Sequence, residues 1–148
     1  MASFMFNISK GLVGDWAADS FKVRLYQTSV MVEATEQDAA TVAGLTAAFI
    51  ECTATGYTAG GYALASKTRA QDTGNNRIDH NAAQLTISGL GNGTNNTLYG
   101  ALIVIPVGGA GTDIPVAALD FDTPVTTDSN DIIIKFNNAN PGTLFRGA

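Results

Sequence analysis

The sequence is poor in the residue types that most often carry chemistry. It contains one cysteine, Cys52, and one histidine, His80, in 148 residues. A single cysteine excludes an internal disulfide, and one Cys with one His excludes a conventional zinc site. We therefore expect the fold to depend neither on an oxidising compartment nor on a metal.

Charge is scarce as well. Charged residues make up 14% of the chain and leave a net charge of −5, whereas about 25% of the residues in a typical soluble domain are charged. The eight Lys and Arg residues are scattered along the sequence, so we expect no nucleic-acid binding. A surface covered by Thr, Asn, Ser, Gly and Ala loses its water at low cost, which favours contact with other proteins.

Long apolar runs are also absent. The longest, Ala101 to Val107, is far shorter than the roughly 18 residues of a membrane-spanning helix. Met1 to Gly14 has neither the basic start nor the long apolar stretch of a secretory signal. We expect the chain to be made and folded in a cytoplasm, without membrane contact.

Short apolar–polar alternations separated by turn residues fill most of the sequence. Ser20 to Tyr26 alternates and predicts a half-buried strand with Lys22 and Arg24 facing outward. Leu98 to Ile105 is almost continuously apolar and predicts a central strand covered on both faces. Asp72 to Asn76 predicts a hairpin turn. Further β segments are predicted at 49–55, 63–70, 77–79, 83–90, 116–121, 131–136 and 143–146.

Helical signals are few. Ser9 to Trp16 predicts a short helix or turn with Ser9 as N-cap, and 35–46 predicts a short helix capped by Thr35. Gly56 to Tyr62 predicts a tight loop with glycines at positive φ. About eight short strands with one or two short helices predict an all-β, single-domain antiparallel β-sandwich of jelly-roll or immunoglobulin-like type. We assign residues 9–148 to this domain and residues 1–8 to an N-terminal arm.

Candidates for catalysis are weak. His80 could act as a base with Asp79 or Asp72, but neighbouring strand residues face opposite ways, and a surface position at a strand end is favoured. Cys52 has apolar neighbours that indicate a buried, unreactive thiol. The glycine-rich loops at 89–93 and 108–111 lack the helix start of a phosphate-binding loop. We therefore predict no enzyme activity and no cofactor.

Two binding functions stay open. Aspartates cluster late in the chain, at Asp120, Asp122, Asp128 and Asp131. With Asp72 they could bind calcium, although their spacing does not match a calcium-binding loop, and turn aspartates usually bond their own backbone. Four aromatic residues could form a platform for sugars, although such residues more often fill a core. They are Trp16, Tyr57, Tyr62 and Tyr99.

Four segments follow one another in a recognisable order: SKGLV at 9–13, DSFKVRL at 19–25, GYTAGGYAL at 56–64 and LYGALIV at 98–104. In this order the chain resembles small virion structural proteins of tailed bacteriophages, some of which look like capsid decoration (cement) or head-fibre proteins. The resemblance runs from about residue 9 to the C-terminus, and GYTAGG is its most specific part. The chain departs from the pattern at Leu85 to Ser88, where relatives tend to have a Trp, and at residues 1–6 and 35–48.

The resemblance implies a virion structural protein, in the first place a capsid decoration protein. Such a protein would form a homotrimer, bind the major capsid protein and bridge neighbouring capsid subunits. We predict contacts on loops and on four apolar residues of the N-terminal arm: Phe4, Met5, Phe6 and Ile8. The alternative for the arm is packing on its own domain. The alternatives for the function are a tail or fibre subunit and a carbohydrate-binding surface module.

Overall fold

A computed structural model describes residues 4–6, 16–17, 20–27, 31–45, 49–74, 77–109, 111–136 and 145–147. At 4–5, 77–78, 122 and 145–147 it describes the backbone only. The predicted turn or helix at 9–16 lies almost wholly outside these residues. Among the described residues, no helix has the length and apolar character needed to span a bilayer.

Strands dominate the described chain. They are β1 Phe4–Met5, β2 Lys22–Tyr26, β3 Tyr62–Ala63, β4 Thr68–Asp72, β5 Arg77–Asn81, β6 Leu85–Leu90, β7 Thr97–Ile105, β8 Ile114–Thr126, β9 Asn130–Ile134 and β10 Phe145–Gly147. All pairings are antiparallel. They form a five-stranded sheet β1-β8-β7-β2-β3, a three-stranded sheet β10-β5-β4 and a two-stranded sheet β6-β9. The predicted all-β, sandwich-like class is confirmed.

The apolar strand β7 lies in the middle of the five-stranded sheet, as predicted. Alternate residues of β7 enter two hydrophobic clusters, with Ala101 and Ile103 in the first and Leu102 and Val104 in the second. Successive strand residues point to opposite faces, so the two clusters cover opposite faces of this sheet. The sheet is therefore buried on both sides along β7.

Strand β2 ends at Tyr26 as predicted but begins two residues later, at Lys22, and its exposure differs from the prediction. Leu25 enters the first cluster, whereas Tyr26 enters the second. Arg24 is only 3% exposed, so the expectation that it faces solvent is wrong. The second face of the sheet is covered by Met31 and Val42, which belong to a segment without strand structure. Alternation identifies the two faces of a strand but does not show what covers each face.

The predicted helix at 35–46 is wrong in extent and in its cap. Helix α1 spans Glu33–Glu36, its N-cap is Val32, and a 3-10 turn follows at Val42–Gly44. Thr35 lies inside the single helical turn, where its hydroxyl donates to the Val32 carbonyl at 3.1 Å. Met31, just before α1, and Val42, in the 3-10 turn, both pack in the second cluster.

The predicted strand at 63–70 is broken in two. Strand β3 ends at Ala63 and β4 begins at Thr68, with Ser66 at φ 47° between them. The break moves the chain from the five-stranded sheet to the three-stranded sheet. The hairpin predicted around residues 72–76 is confirmed, since β4 pairs with β5 up to the facing residues Asp72 and Arg77.

Residues 4–6 run along one edge of the five-stranded sheet. Phe4 and Met5 face Ala118 and Ala117 of β8. The Phe6 amide then donates to the Val116 carbonyl at 3.0 Å. This part of the assigned N-terminal arm is therefore hydrogen-bonded to the β-domain.

Candidate functional site

Three segments, made of loops and the ends of β6 and β9, are joined by hydrogen bonds, and we call residues 53–61, 89–96 and 127–131 the loop platform. The first two segments are joined by backbone hydrogen bonds, from the Gly91 amide to the Thr55 carbonyl at 2.9 Å and from the Thr55 amide to the Asn92 carbonyl at 3.4 Å. The Thr55 hydroxyl adds a bond to the Asn92 carbonyl at 3.1 Å. The turns predicted from Gly and Asn residues thus form one connected surface.

The third segment is fixed to the second in the same way. The Ser129 amide donates to the Leu90 carbonyl at 2.7 Å, and the Thr127 amide donates to the Asn96 carbonyl at 2.9 Å. The buried Thr127 hydroxyl donates to the Gly91 carbonyl at 2.9 Å. These bonds fix the positions of the three segments relative to one another.

The exposed residues of the loop platform are small and almost all uncharged. They are Thr53, Thr55, Gly56, Thr58, Ala59, Gly89, Asn92, Gly93, Thr94, Asp128, Ser129, Asn130 and Asp131. Short side chains lose little rotamer entropy on binding, and uncharged groups lose their water at lower cost than ions. The loop platform is therefore suited to contact with a protein surface.

The glycine-rich loop at 56–61 has the predicted conformation. Gly56, Gly60 and Gly61 have φ values of 89°, 84° and 83°, in the region that favours glycine. A Cβ on Gly61 would also collide with the Val23 carbonyl. Only glycine permits this close approach of the loop to β2.

The carboxylate of Glu51 holds the same loop by hydrogen bonds. Glu51 Oε1 accepts hydrogen bonds from the Tyr57 hydroxyl and the Gly60 amide, both at 2.9 Å. The Tyr57 hydroxyl also accepts the Leu25 amide at 3.1 Å. Burial and the nearby Glu51 charge raise the pKa of Tyr57 well above its ordinary value, so this hydroxyl stays protonated and can donate.

The buried Arg24 neutralises Glu51. Its Nη2 lies 2.7 Å from Glu51 Oε2, and its Nε donates to Oε1 at 3.2 Å. On its other side, Nη1 lies 3.6 Å from Asp113 Oδ2, and the guanidinium carbon lies 4.6 Å from the centre of the Phe49 ring. Asp113 Oδ1 in turn accepts the Val107 amide at 3.1 Å. We call Arg24, Glu51 and Asp113 the ion-pair network.

Sequence reasoning missed the ion-pair network because it treated Arg24 as one of two outward-facing cations on β2. A signal for it was present. Glu51 lies in the largely apolar stretch 49–54, and Asp113 directly precedes the apolar start of β8. A carboxylate in such surroundings requires a counter-charge, because an unpaired buried charge is very costly.

The four residues predicted to bind a partner have different outcomes. Phe6 is fully buried in the second cluster. For Phe6 the structure therefore shows the alternative, in which the arm packs on its own domain. Phe4 and Met5 form β1, and their side chains are outside the described structure. Ile8 lies outside the described residues. A partner contact through Phe4, Met5 or Ile8 stays a prediction.

His80 and Cys52 are both buried. His80 is 2% exposed, so the expected surface position is wrong. Its ring meets the ring of Trp16, a member of the first cluster, edge-on with centroids 5.7 Å apart. The expected burial of Cys52 is confirmed, and burial raises the pKa of its thiol, which keeps it in the unreactive protonated form.

Two of the aspartates considered for calcium make internal hydrogen bonds. Asp120 accepts the Tyr26 hydroxyl at 2.7 Å, and Asp131 accepts the Gly89 amide at 2.9 Å. In the part of the chain that the structure describes, no three His, Cys, Asp or Glu side chains are grouped so that they could hold a metal ion.

The aromatic residues considered for sugar binding do not form one open face. Trp16 is fully buried in the first cluster, and Tyr57 and Tyr62 pack partly against it. Tyr99 packs against the second cluster, on the opposite face of the sheet. The rings of Tyr57 and Tyr62 meet nearly at right angles, with centroids 5.6 Å apart.

Comparisons with protein-family models, curated proteins and solved structures found no match to this chain.

Proposed function

We propose that this protein is a structural component of a bacteriophage virion, and specifically a capsid decoration protein that binds the outside of the head as a homotrimer. The observation that carries the proposal is the loop platform, a hydrogen-bonded surface of small and mostly uncharged residues. Its role is to bind the major capsid protein and to bridge neighbouring capsid subunits. The binding free energy then adds to the stability of the closed shell.

The fixed geometry of the loop platform supports this role. Backbone hydrogen bonds join its three segments, and Glu51 holds the loop at 56–61 through Tyr57 and Gly60. A surface that is already ordered pays little entropy when it binds. Several such weak contacts per trimer add up through avidity on a repetitive shell.

The buried polar groups support a structural role as well. Arg24 is paired with Glu51 and Asp113, and the Cys52 thiol has a raised pKa. These groups stabilise the fold in forms that are poorly suited to nucleophilic or acid–base chemistry.

The direct test mixes the purified protein with empty heads of the phage that encodes it and sediments the heads. We expect the protein to have the native mass of a trimer and to sediment with the heads in a saturable way. Thr58→Arg introduces a long charged side chain on the loop platform and should reduce the bound amount at least about tenfold, since a buried unpaired charge costs several kcal/mol.

Thr86→Arg is the matched control, because Thr86 is also exposed but lies on β6 outside the loop platform. This variant should bind heads like the unchanged protein. A monomeric protein that stays in the supernatant would contradict the proposal. Sedimentation with purified tails or fibres instead of heads would show a tail or fibre subunit, and saturable binding to sugars alone would show a carbohydrate-binding module.

A further inference from the structure

The chain contains one Asn-Gly pair, Asn92–Gly93, and this pair lies on the loop platform. Both residues are exposed, in the stretch between β6 and β7. Glycine has no Cβ, so its backbone adopts conformations that other residues avoid. The amide nitrogen of a glycine therefore reaches the side chain of the preceding asparagine more easily than the amide nitrogen of any other residue.

The two groups that would react are both open. In the part of the chain that the structure describes, neither the Asn92 side-chain amide nor the Gly93 backbone amide makes a hydrogen bond. A hydrogen bond from the Gly93 amide would hold its proton, and a bond to the Asn92 side chain would restrict its rotamers. Neither restraint is present at this pair.

Thr55 polarises the peptide group that joins Asn92 to Gly93. The Asn92 carbonyl accepts the Thr55 hydroxyl at 3.1 Å and the Thr55 amide at 3.4 Å. When the Gly93 nitrogen loses its proton, resonance within the peptide group places negative charge on this same carbonyl oxygen. Hydrogen bonds to a charged acceptor are stronger than those to a neutral one, so Thr55 stabilises the deprotonated nitrogen.

We propose that Asn92 and Gly93 form a site of spontaneous deamidation, which alters the loop platform as the protein ages. The Gly93 nitrogen gives its proton to hydroxide and attacks Asn92 Cγ. A C–N bond forms, the Cγ–Nδ2 bond breaks, and ammonia leaves with a proton from water, so that a five-membered succinimide ring remains. Water then opens the ring at Cγ, which gives aspartate, or at the main-chain carbonyl carbon, which gives isoaspartate.

Either product changes the junction between two segments of the loop platform. Each product adds one negative charge at residue 92. In isoaspartate the main chain also continues through Cγ, and the carbonyl oxygen that accepted Thr55 becomes part of a free carboxylate. The reaction thus places a charge on a mostly uncharged surface and changes the group that joins residues 89–96 to residues 53–61.

Mass spectrometry of the purified protein, aged at mildly alkaline pH in isotope-labelled water, tests the site directly. Trypsin releases one peptide, residues 78–135, that contains both Asn92 and Asn130. Asn130 is the internal control, because it is also exposed but precedes Asp131 in β9. We expect the mass gain of deamidation, with the label, to appear at Asn92 at least about tenfold faster than at Asn130.

Asn92→Gln should abolish the mass gain at this position. The longer side chain keeps the amide but would have to close a six-membered ring instead of a five-membered one. An unlabelled Asn92 after ageing, or an Asn130 that reacts as fast as Asn92, would overturn the proposal.

Thr55→Val tests what the structure adds to the Asn-Gly pair. It removes the hydroxyl from the Asn92 carbonyl and should slow the deamidation by about threefold or more. Thr53→Val is the matched control, since the exposed Thr53 hydroxyl donates to the Thr94 carbonyl, outside the reacting peptide group. It should leave the rate unchanged. Equal rates in the two variants would contradict the role given to Thr55.

The effect of deamidation on heads rests on the proposed function. Anion exchange separates the aged protein from the fresh protein, because the aged form carries one more negative charge. The amount of aged protein that sediments with heads should be at least about tenfold lower. Equal binding of both forms would overturn the effect on the loop platform. Fresh protein that does not bind heads would contradict the proposed function and leave the mass-spectrometric result intact.

Discussion

The Arg24 guanidinium lies between two carboxylates, and each carboxylate holds a different loop. Glu51 holds the loop at 56–61, and Asp113 holds the start of the connection between β7 and β8 through the Val107 amide. A charge at this buried position is tolerated because both partners and the Phe49 ring surround it. The order of two surface loops thus depends on one residue inside the sheet.

Arg24→Met should lower the free energy of unfolding by about 3–5 kcal/mol, because it removes the cation and leaves carboxylates without a counter-charge. Arg24→Lys should recover part of this loss, since an ammonium group keeps the charge but not the two-pronged geometry. Urea unfolding measures both. Lys135→Met removes an exposed cation and should cost no more than about 0.5 kcal/mol; an equal cost for both positions would rule out the role given to Arg24.

Two tyrosine hydroxyls make the stability sensitive to alkali. Burial and the hydrogen bond to Asp120 raise the pKa of Tyr26, and burial and Glu51 raise the pKa of Tyr57. An acid whose pKa is raised by folding contributes its full stability below the unfolded-state pKa, about 10 for Tyr, and loses it as the pH rises further. The fold should therefore be insensitive to these groups near neutral pH and should weaken above about pH 10.

Urea unfolding at a series of alkaline pH values measures this effect. The slope of unfolding free energy against pH should become less negative in the double variant Y26F/Y57F, whatever its stability at neutral pH. Each tyrosine accounts for at most about 1.4 kcal/mol per pH unit. A variant whose slope equals that of the unchanged protein would contradict the assignment.

At the scale of elements, the sequence predicts β7 well. A continuous apolar run indicates a strand buried on both faces, and the observed bounds differ from the predicted ones by one residue. The sequence does not predict the burial of β2, because a polar residue in an alternating strand gives the same pattern whether its side chain faces water or a buried carboxylate. Arg24 is such a residue.

The loop platform was only partly predictable for a related reason. Gly and Asn residues mark 56–61 and the stretch from residue 89 to 96 as loops; the structure has loops at 56–61 and 91–96, whereas Gly89 and Leu90 end β6. The meeting of these loops with each other and with 127–131 depends on the order of the strands in the sheets. Local alternation does not encode that order, and strand pairs such as β6–β9 are far apart in sequence.

At Gly100, in β7, a side chain from one neighbouring strand reaches across to a side chain of the other. Tyr26, Gly100 and Asp120 face one another in β2, β7 and β8. The Tyr26 side chain crosses over Gly100 to bond Asp120, and a Cβ on Gly100 would collide with the Tyr26 hydroxyl and the Leu119 carbonyl. The middle strand must therefore have no side chain at this point.

Gly100→Ala should reduce the free energy of unfolding by about 1–3 kcal/mol, as is usual for overpacking a filled site. Gly74→Ala serves for comparison, because the nearest atom to a Cβ there is an Asp72 carboxylate oxygen at 3.4 Å, an ordinary contact. That variant should change the unfolding midpoint little. If the two substitutions proved equally mild, Tyr26 would not be fixed above Gly100 as described.

On the scale of the whole molecule, the two hydrophobic clusters share one sheet. Leu25 belongs to the first cluster and Leu102 to the second, on neighbouring strands β2 and β7. A sheet that loses its cover on either face exposes the apolar side chains of that face. The described chain should therefore unfold as one cooperative unit.

Leu25→Ala and Leu102→Ala should each cost about 2–5 kcal/mol, the usual loss for a buried leucine. Each variant should unfold in a single transition that is the same by circular dichroism and by fluorescence. Ile133→Ala is the control, because Ile133 is 52% exposed. Two separate transitions in either core variant would show that the clusters are independent.

The buried Trp16 has a practical consequence. Trp16 is the sole tryptophan of the chain. Its indole nitrogen donates to the Asn81 carbonyl at 2.8 Å, and its ring packs against the ring of His80; Asn81 and His80 both belong to β5. One chromophore therefore reports on the junction between the first cluster and the three-stranded sheet. Its emission spectrum gives a label-free optical record of whether that sheet stays packed against the first cluster.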